Sequence, residues 1–232
     1  MASQTPKRSS VRKTSPGARA RGRLRILITA GPTREYIDPV RYLSNDSTGR
    51  MGFAIAAEAI RRGHAVTLIH GPVALAPPAG ARTTAIVSAA EMLETCRRAW
   101  PRQDVLIMSA AVADYRPARV SDSKIKKSRD DLTLELEPTT DVLADLSGKR
   151  RAGQRVIGFA LEDRDPRENA RSKLERKGLD AIVLNPPAAI GRTRSRLEIL
   201  RRGGEWAVHA MRDKAAHART IVDLAESIAE ME

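Results

Sequence analysis

A chain of 232 residues, 41% of them hydrophobic, can bury one good core, and this length favours one domain over two. Its formal charge of +13 is unevenly spread, because seven basic residues (Lys7, Arg8, Arg12, Lys13, Arg19, Arg21, Arg23) precede the first apolar run with no acidic residue among them. One cysteine excludes an internal disulfide or a cysteine metal cluster, and no apolar run is long enough to span a bilayer.

In chain order, the basic start is rich in Ser, Thr, Pro and Gly and almost free of apolar residues, so it cannot bury enough surface to fold alone. Residues 1–23 are therefore expected to form a disordered tail, and residues 24–232 one folded domain. The tail lacks the apolar centre of a secretory signal, although its Arg-rich, acid-free composition is shared with organelle transit peptides. A cytoplasmic location is expected, which suits a lone Cys96. The tail could touch nucleic acid non-specifically, but no aromatic stacking platform accompanies it. Neither a specific nucleic-acid partner nor a membrane is expected.

Residues 24–30, LRILITA, predict a buried strand, and Gly31-Pro32-Thr33 a turn after it. Residues 44–56, SNDSTGRMGFAIA, bring small polar residues and two glycines against an Ala-rich helix at 51–62, ended by Gly63. A strand at 65–69, a strand at 84–87, a helix at 89–100 and a strand at 105–108 follow. This alternation predicts a parallel sheet with helices on both faces. The rhythm then changes, with an alternating strand at 132–136 and a short helix entered through Thr140 and Asp141. It resumes with a strand at 156–161, a helix at 166–177 closed by Gly178, and a strand at 180–184. Residues 197–200 and 206–210 read as an antiparallel hairpin, and a helix over about 213–230 closes the chain.

The chemistry-bearing candidates fall mostly at strand ends. A helix start leaves N–H groups unpartnered and carries the positive end of the dipole, so 44–56 suits an anion. Gly49 and Gly52 permit close approach, and Asn45, Ser47 and Thr48 offer polar atoms. The same residues would also suit an ordinary N-cap. Asp114 follows the alanines Ala110, Ala111 and Ala113 at a strand end, where it is either a ligand contact or a turn former. Lys124, Lys126 and Lys127 form either a solvated charge run or a phosphate contact. Lys173 and Lys177 share one helix face, and Phe159 is either core or a cover for a base. Cys96 is expected in the core or at its boundary, and His64, His70, His209 and His217 show no metal-ligand spacing.

Four segments in order, ITAGPTREYIDPVRYLSNDSTGRMGFAIA, SAAVADYRPA, KIKK and VIGFALED, resemble phosphopantothenoylcysteine synthetase, from about residue 25 to the last helix. The resemblance implies a Rossmann-like, mainly parallel α/β sheet with a small antiparallel extension. It also implies ligation of 4′-phosphopantothenate to cysteine with CTP and Mg²⁺, through an acyl-cytidylate, in coenzyme A biosynthesis. Many bacterial relatives are fused behind a flavin-dependent decarboxylase, and this chain is expected to be a free-standing ligase. By similarity, Asn45 and Lys124 are catalytic, and Arg41, Asn45, Ala110, Ala111 and Asp114 bind phosphopantothenate. An arginine matching Arg41 reaches the neighbouring subunit's substrate, which implies a homodimer. The resemblance assigns nucleotide contacts to Gly31, Ser47, Gly49, Gly52, Met108, Ser109, Ala110, Asp114, Lys124, Thr140, Asp141, Val142, Leu143, Phe159, Lys173, Lys177 and Asn185. It assigns no metal ligands.

The chain departs from the family where Asn185-Pro186-Pro187 replaces Asn-Asp and where residues 191–196 lack a Ser-Asp-x-Asn pattern. FALED also replaces FAAET at 159–163. Two other functions fit a similar sheet. An NAD(P)-dependent reductase lacks support, since no GxGxxG follows the first strand and Arg119 stands where a lysine would partner Tyr115. A non-catalytic nucleotide or RNA binder would not require Asn45, Asp114, Lys124 and Lys173 together.

Overall fold

Residues 22–128, 131–189 and 191–230 are described by a computed structural model. Strand β1 (Arg25–Ala30) leads into a small hairpin of β2 (Arg34–Tyr36) and β3 (Tyr42–Ser44), then α1 (Arg50–Arg61), β4 (Ala65–His70), β5 (Arg82–Ala85), α2 (Ala89–Ala99) and β6 (Val105–Met108). Strands β7 (Tyr115–Pro117) and β8 (Leu136–Pro138) form a second antiparallel pair. After them come α3 (Val142–Gly148), β9 (Arg155–Leu161), α4 (Pro166–Arg176), β10 (Ala181–Asn185), β11 (Arg194–Arg201), β12 (Trp206–Asp213) and α5 (Lys214–Ala229).

The central sheet has eight strands in the order β12-β11-β10-β9-β6-β1-β4-β5. The strands from β5 to β10 are parallel, and β11 and β12 add the antiparallel extension. From β1 the chain moves outward to β4 and β5, and from β6 it moves the other way to β9 and β10. The direction therefore reverses between β1 and β6, which opens a crevice beyond their carboxyl ends. A parallel bridge between Pro32 and Ala111 carries the pairing past both strand ends.

Side chains of β1 alternate between two cores. Ile26, Ile28 and Ala30 pack with Phe53 and Ile55 of α1 and with Ile221 and Val222 of α5. Leu27 packs instead with Met92 of α2, Leu146 of α3 and Leu174 of α4. Both faces are covered, which is why LRILITA is continuously apolar rather than alternating. Each fully buried Leu or Ile contributes about 1.5–3 kcal/mol, so the sheet is a firm base for the loops at its edge. Cys96 lies in the second core, and burial pushes its thiol up to about 12.

Some element positions differ from expectation. The alternating Leu132, Leu134 and Leu136 do not form a strand over 132–136; β8 starts at Leu136, and Leu132 and Leu136 are exposed. Two of the three leucines thus face solvent, so the period-two pattern does not mark a buried strand face here. Strand β5 spans Arg82–Ala85 rather than 84–87, and the Val87 carbonyl instead accepts from the Arg34 N–H of β2 at 2.8 Å. The tail expected at 1–23 lies, up to residue 21, outside the described residues. Among the described residues no helix is long and apolar enough to cross a membrane.

Candidate functional site

A cleft of about 550 Å³ opens at the carboxyl edge of the sheet, between the N-terminus of α1 and the ends of β6, β9 and β10. Helix α1 begins at Gly49, whose φ of 73° is left-handed, and no side chain caps it. The alternative reading of this segment as an ordinary side-chain N-cap does not hold, and Ser47, Thr48, Gly49, Arg50, Met51 and Gly52 all line the cleft. A Cβ on Gly52 would stand 2.5 Å from Ala30 Cβ and 2.6 Å from Ser109 Oγ, so only glycine lets the first turn sit this close to the strand ends. The unfilled N–H groups and the positive end of the helix face an open space, which is the physical requirement for anion binding.

Gly31 was expected at the nucleotide and does not line this cleft. It lies beneath Gly49, where its own Cβ would meet Val73 Cγ1 at 2.8 Å, so it supports the helix start from behind.

The opposite rim is fixed by hydrogen bonds between loops. Asn45 Nδ2 donates to the carbonyls of Ala111 and Val112, both at 3.1 Å, leaving Oδ1 as its acceptor atom. Ser109 Oγ donates to the Thr29 carbonyl at 2.7 Å, and the Ala113 N–H donates to Thr33 Oγ1 at 2.9 Å. Thr139 holds the next turn, donating from Oγ1 to the Ala113 carbonyl at 2.6 Å and from N–H to the Asp114 carbonyl at 2.8 Å. Asp114 thereby lines both the main cleft and an adjoining cavity of about 140 Å³.

Phe159 and Lys173 also line both spaces, while Met108, Thr140, Asp141, Val142, Leu143 and Lys177 line the smaller one. Lys173 Nζ donates to the Phe159 carbonyl at 2.9 Å. Burial pulls its ammonium below the usual lysine range, Lys177 adds repulsion, and Glu162, Asp141 and Asp114 oppose the shift. Lys177 pairs with Asp141, which also caps α3 by accepting from the Ala144 N–H at 2.9 Å. Burial works to raise the Asp141 carboxyl, but the Lys177 and Ala144 hydrogen bonds outweigh it and hold it low. Asn185 reaches the main cleft from the end of β10, and its Oδ1 is buried with no hydrogen-bond partner among the described residues.

Lys124 stands outside both spaces, and so does Arg41, which the resemblance assigns to the neighbouring subunit's substrate. Lys124 is exposed and lines neither space, because its segment is tied to the turn between β2 and β3: the Ile125 N–H donates to Asp38 Oδ2 at 3.1 Å. Arg41 belongs to that same projection, donating to Asp38 at 2.5 Å and to the Ile125 carbonyl at 2.7 Å. The Arg41 hydrogen bond holds the buried Asp38 carboxyl far below its ordinary range. Residues that sequence reasoning passed over include Arg50, Glu162, Arg192 and Lys214, all of which line the cleft. Lys214 read as an ordinary first-turn residue of the last helix, and nothing local marks it.

The family model for the DNA/pantothenate metabolism flavoprotein C-terminal domain matches residues 22–228. The chain belongs to this family. A relative named coenzyme A biosynthesis bifunctional protein CoaBC, from Bacillus subtilis strain 168, is 47% identical over 167 residues, 72% of this chain and 41% of that protein. A relative named cysteine/cysteine sulfinic acid decarboxylase, from an unknown prokaryotic organism, is 42% identical over 203 residues, 85% of this chain and 56% of that protein. The chain thus spans about half the length of these relatives, or less. The crystal structure of the C-terminal domain of CoaBC superposes with a TM-score of 0.80 at 39% identity, covering 93% of this chain and 100% of that one. The correspondence runs through the doubly wound sheet whose strand ends form the cleft.

Proposed function

We propose that this protein is a phosphopantothenate–cysteine ligase of coenzyme A biosynthesis that uses CTP. The observation that carries this reading is the convergence of the open α1 N-terminus, Asn45, Asp114 and Lys173 on one cleft. Similarity to a CoaBC C-terminal domain over that domain's whole length supports it.

A carboxylate is a poor acyl donor until its oxygen becomes part of a better leaving group. In the first half-reaction the phosphopantothenate carboxylate oxygen attacks the α-phosphorus of CTP, the bond to the bridging oxygen breaks, and pyrophosphate leaves. In the second, the cysteine amine attacks the acyl carbon and CMP departs with the electron pair of the broken C–O bond. The N–H groups of α1 hold oligophosphate, and Lys173 and Lys177 offset charge beside the nucleotide. Asn45 and Asp114 orient the pantothenoyl portion, and Phe159 covers the base. Small alanines at 110 and 111 leave room for it.

Among the described residues no group of three or more His, Cys, Asp or Glu side chains is placed to hold a metal alone. Asp46, Asp114 and Glu162 line the cleft singly. That set suits a Mg²⁺ that arrives on the phosphates and takes one or two carboxylates from protein. Bound there, the ion neutralises phosphate charge.

Arg41 and Lys124 share a projection outside their own chain's cleft, so in this reading they serve the cleft of a second copy, in a cytoplasmic homodimer. Lys124→Gln should then impair activation, and mixing it with Asn45→Asp should restore activity through hybrid dimers. No recovery on mixing would remove the cross-subunit role.

The decisive experiment offers the purified protein 4′-phosphopantothenate, L-cysteine and Mg²⁺ with CTP and ATP in competition. Phosphopantothenoylcysteine, CMP and pyrophosphate are expected. Unconsumed CTP with demonstrably folded protein would overturn the reading, and carbon dioxide released from cysteine sulfinate instead would favour the decarboxylase named among the relatives.

A further inference from the structure

Besides the α1 start, the cleft is lined by the segment after β10 and by the first turn of α5, a helix that packs against α1; these bring Arg192 and Lys214 to its lining. Lys214 is half-buried, and its Nζ donates to Ser195 Oγ at 3.2 Å. Among the described residues no carboxylate lies within ion-pair distance of either Lys214 or Arg192.

Ser195 is placed for this contact by an irregularity of the β11–β12 ladder between Ser195 and Leu197. Its carbonyl also accepts from His217 Nε2 at 2.6 Å, one turn further along α5. The adjacent Asp213 carboxylate is already engaged as the cap of α5, accepting from the Ala216 N–H at 2.7 Å. An ammonium withdrawn from water, held by a neutral hydroxyl and lacking a carboxylate, is unfavourable unless an anion joins it. Burial accordingly pulls its titration below the usual lysine range.

We propose that Lys214, seconded by Arg192, is a phosphate-binding and positioning group of this cleft, recognising a phosphate of one of the two anionic substrates. The inference rests on the ligase reading for which substrate is held, but the anion site itself does not. A phosphate bridging the α1 N-terminus and Lys214 would be held from two elements, which fixes its orientation better than a helix start alone.

The test compares wild type, Lys214→Met, Lys214→Arg and Arg192→Gln. Lys214→Met keeps the length of the side chain and removes the uncompensated charge, so its melting temperature should equal or exceed that of wild type. Its KM should rise about tenfold for the phosphate-bearing substrate concerned, as expected for losing a charge-assisted hydrogen bond. Lys214→Arg should recover most of that loss, and Arg192→Gln should show a smaller rise. A raised KM for CTP alone assigns the nucleotide phosphates, and a raised KM for 4′-phosphopantothenate alone assigns the other source. Calorimetry with inorganic pyrophosphate supplies a readout independent of turnover. Weaker pyrophosphate binding by Lys214→Met supports the site even if no ligation occurs, whereas unchanged KM values and unchanged pyrophosphate binding overturn it.

Discussion

At the start of α2, Ser88 Oγ accepts from the Glu91 N–H at 3.2 Å, and the Glu91 carboxylate accepts from the Val87 N–H at 2.8 Å. Helix α1 starts at Gly49 with no side-chain cap and no acidic residue in its first turn. Helix α1 follows β3 of the small hairpin and α2 follows β5 of the central sheet, and both bury an apolar face in the cores of that central sheet. The difference lies in who satisfies the first N–H groups. The capped start is completed by its own sequence and stabilises the fold, while the uncapped one leaves its donors for something outside the helix.

Making α1 resemble α2 should have the largest effect. Thr48→Asp places a carboxylate on the cleft lining beside the α1 start, and CTP-dependent pyrophosphate release should fall by about 100-fold or more. Thr48 is exposed, so a melting curve should show only a modest loss. Near-normal turnover would mean that the open start does not bind the nucleotide.

Asn45 holds the facing loop to that start through the Ala111 and Val112 carbonyls. Asn45→Asp cannot donate to them and adds a negative charge, so amide formation should slow by roughly tenfold, and by more than activation does. Rapid-quench measurement of both half-reactions checks this, and equal slowing would contradict the role.

At its far end α1 is closed by charge instead. Glu58 accepts from Arg61 at 2.8 and 2.7 Å and from Arg62 at 2.7 Å, and Arg62 continues to Asp223 and Glu226 of α5. The Arg61 hydrogen bond, working against burial, holds the Glu58 carboxyl at about 2 rather than 4.5. A carboxyl whose pKa is depressed by folding contributes stability above its unfolded value and loses it as pH falls through the folded one. Denaturant melts of the wild type should therefore weaken from about pH 4.5 towards 2, and Glu58→Gln should flatten that decline. An equally steep decline in the variant would place the acid sensitivity elsewhere.

The smallest effect belongs to α2. Ser88→Ala should lower stability by about 1 kcal/mol with turnover unchanged. A loss of turnover would show that the two helix starts are not functionally distinct.

Much of the site was legible because its residues sit beside recognisable strand ends. Asn45, the 47–52 segment, Ala110, Ala111 and Asp114 follow apolar runs too continuous to be anything but buried strands, and the crevice rule places such loops together. Phe159 and Lys173 were reachable in the same way, through β9 and α4, whereas Asn185 at the end of β10 came only through the family resemblance. Gly31 was misplaced because a glycine that lines a ligand and one that lets a helix start pack from behind read alike. That Lys124 lies outside its own chain's cleft could not be read locally, because its segment follows the Asp38–Arg41 turn rather than the sheet edge, and that attachment joins residues 87 positions apart. Lys214 was missed because a first-turn lysine carries no signal of its own; only the approach of α5 to the β11 irregularity brings it into the cleft.

Hydrophobic periodicity and turn residues by themselves determined the alternating strands and helices and a parallel sheet covered on both faces, because those depend on which face of a short segment is apolar; the Rossmann-like class came with the family resemblance. They also located the anion-suited helix start, since two glycines in a polar stretch are a local property. Which side chains meet across the cleft, which cations lack a carboxylate, and that Arg41 and Lys124 leave their own cleft together were settled only in the folded molecule. Those are relations between segments far apart in the chain, fixed by the order in which the strands pack.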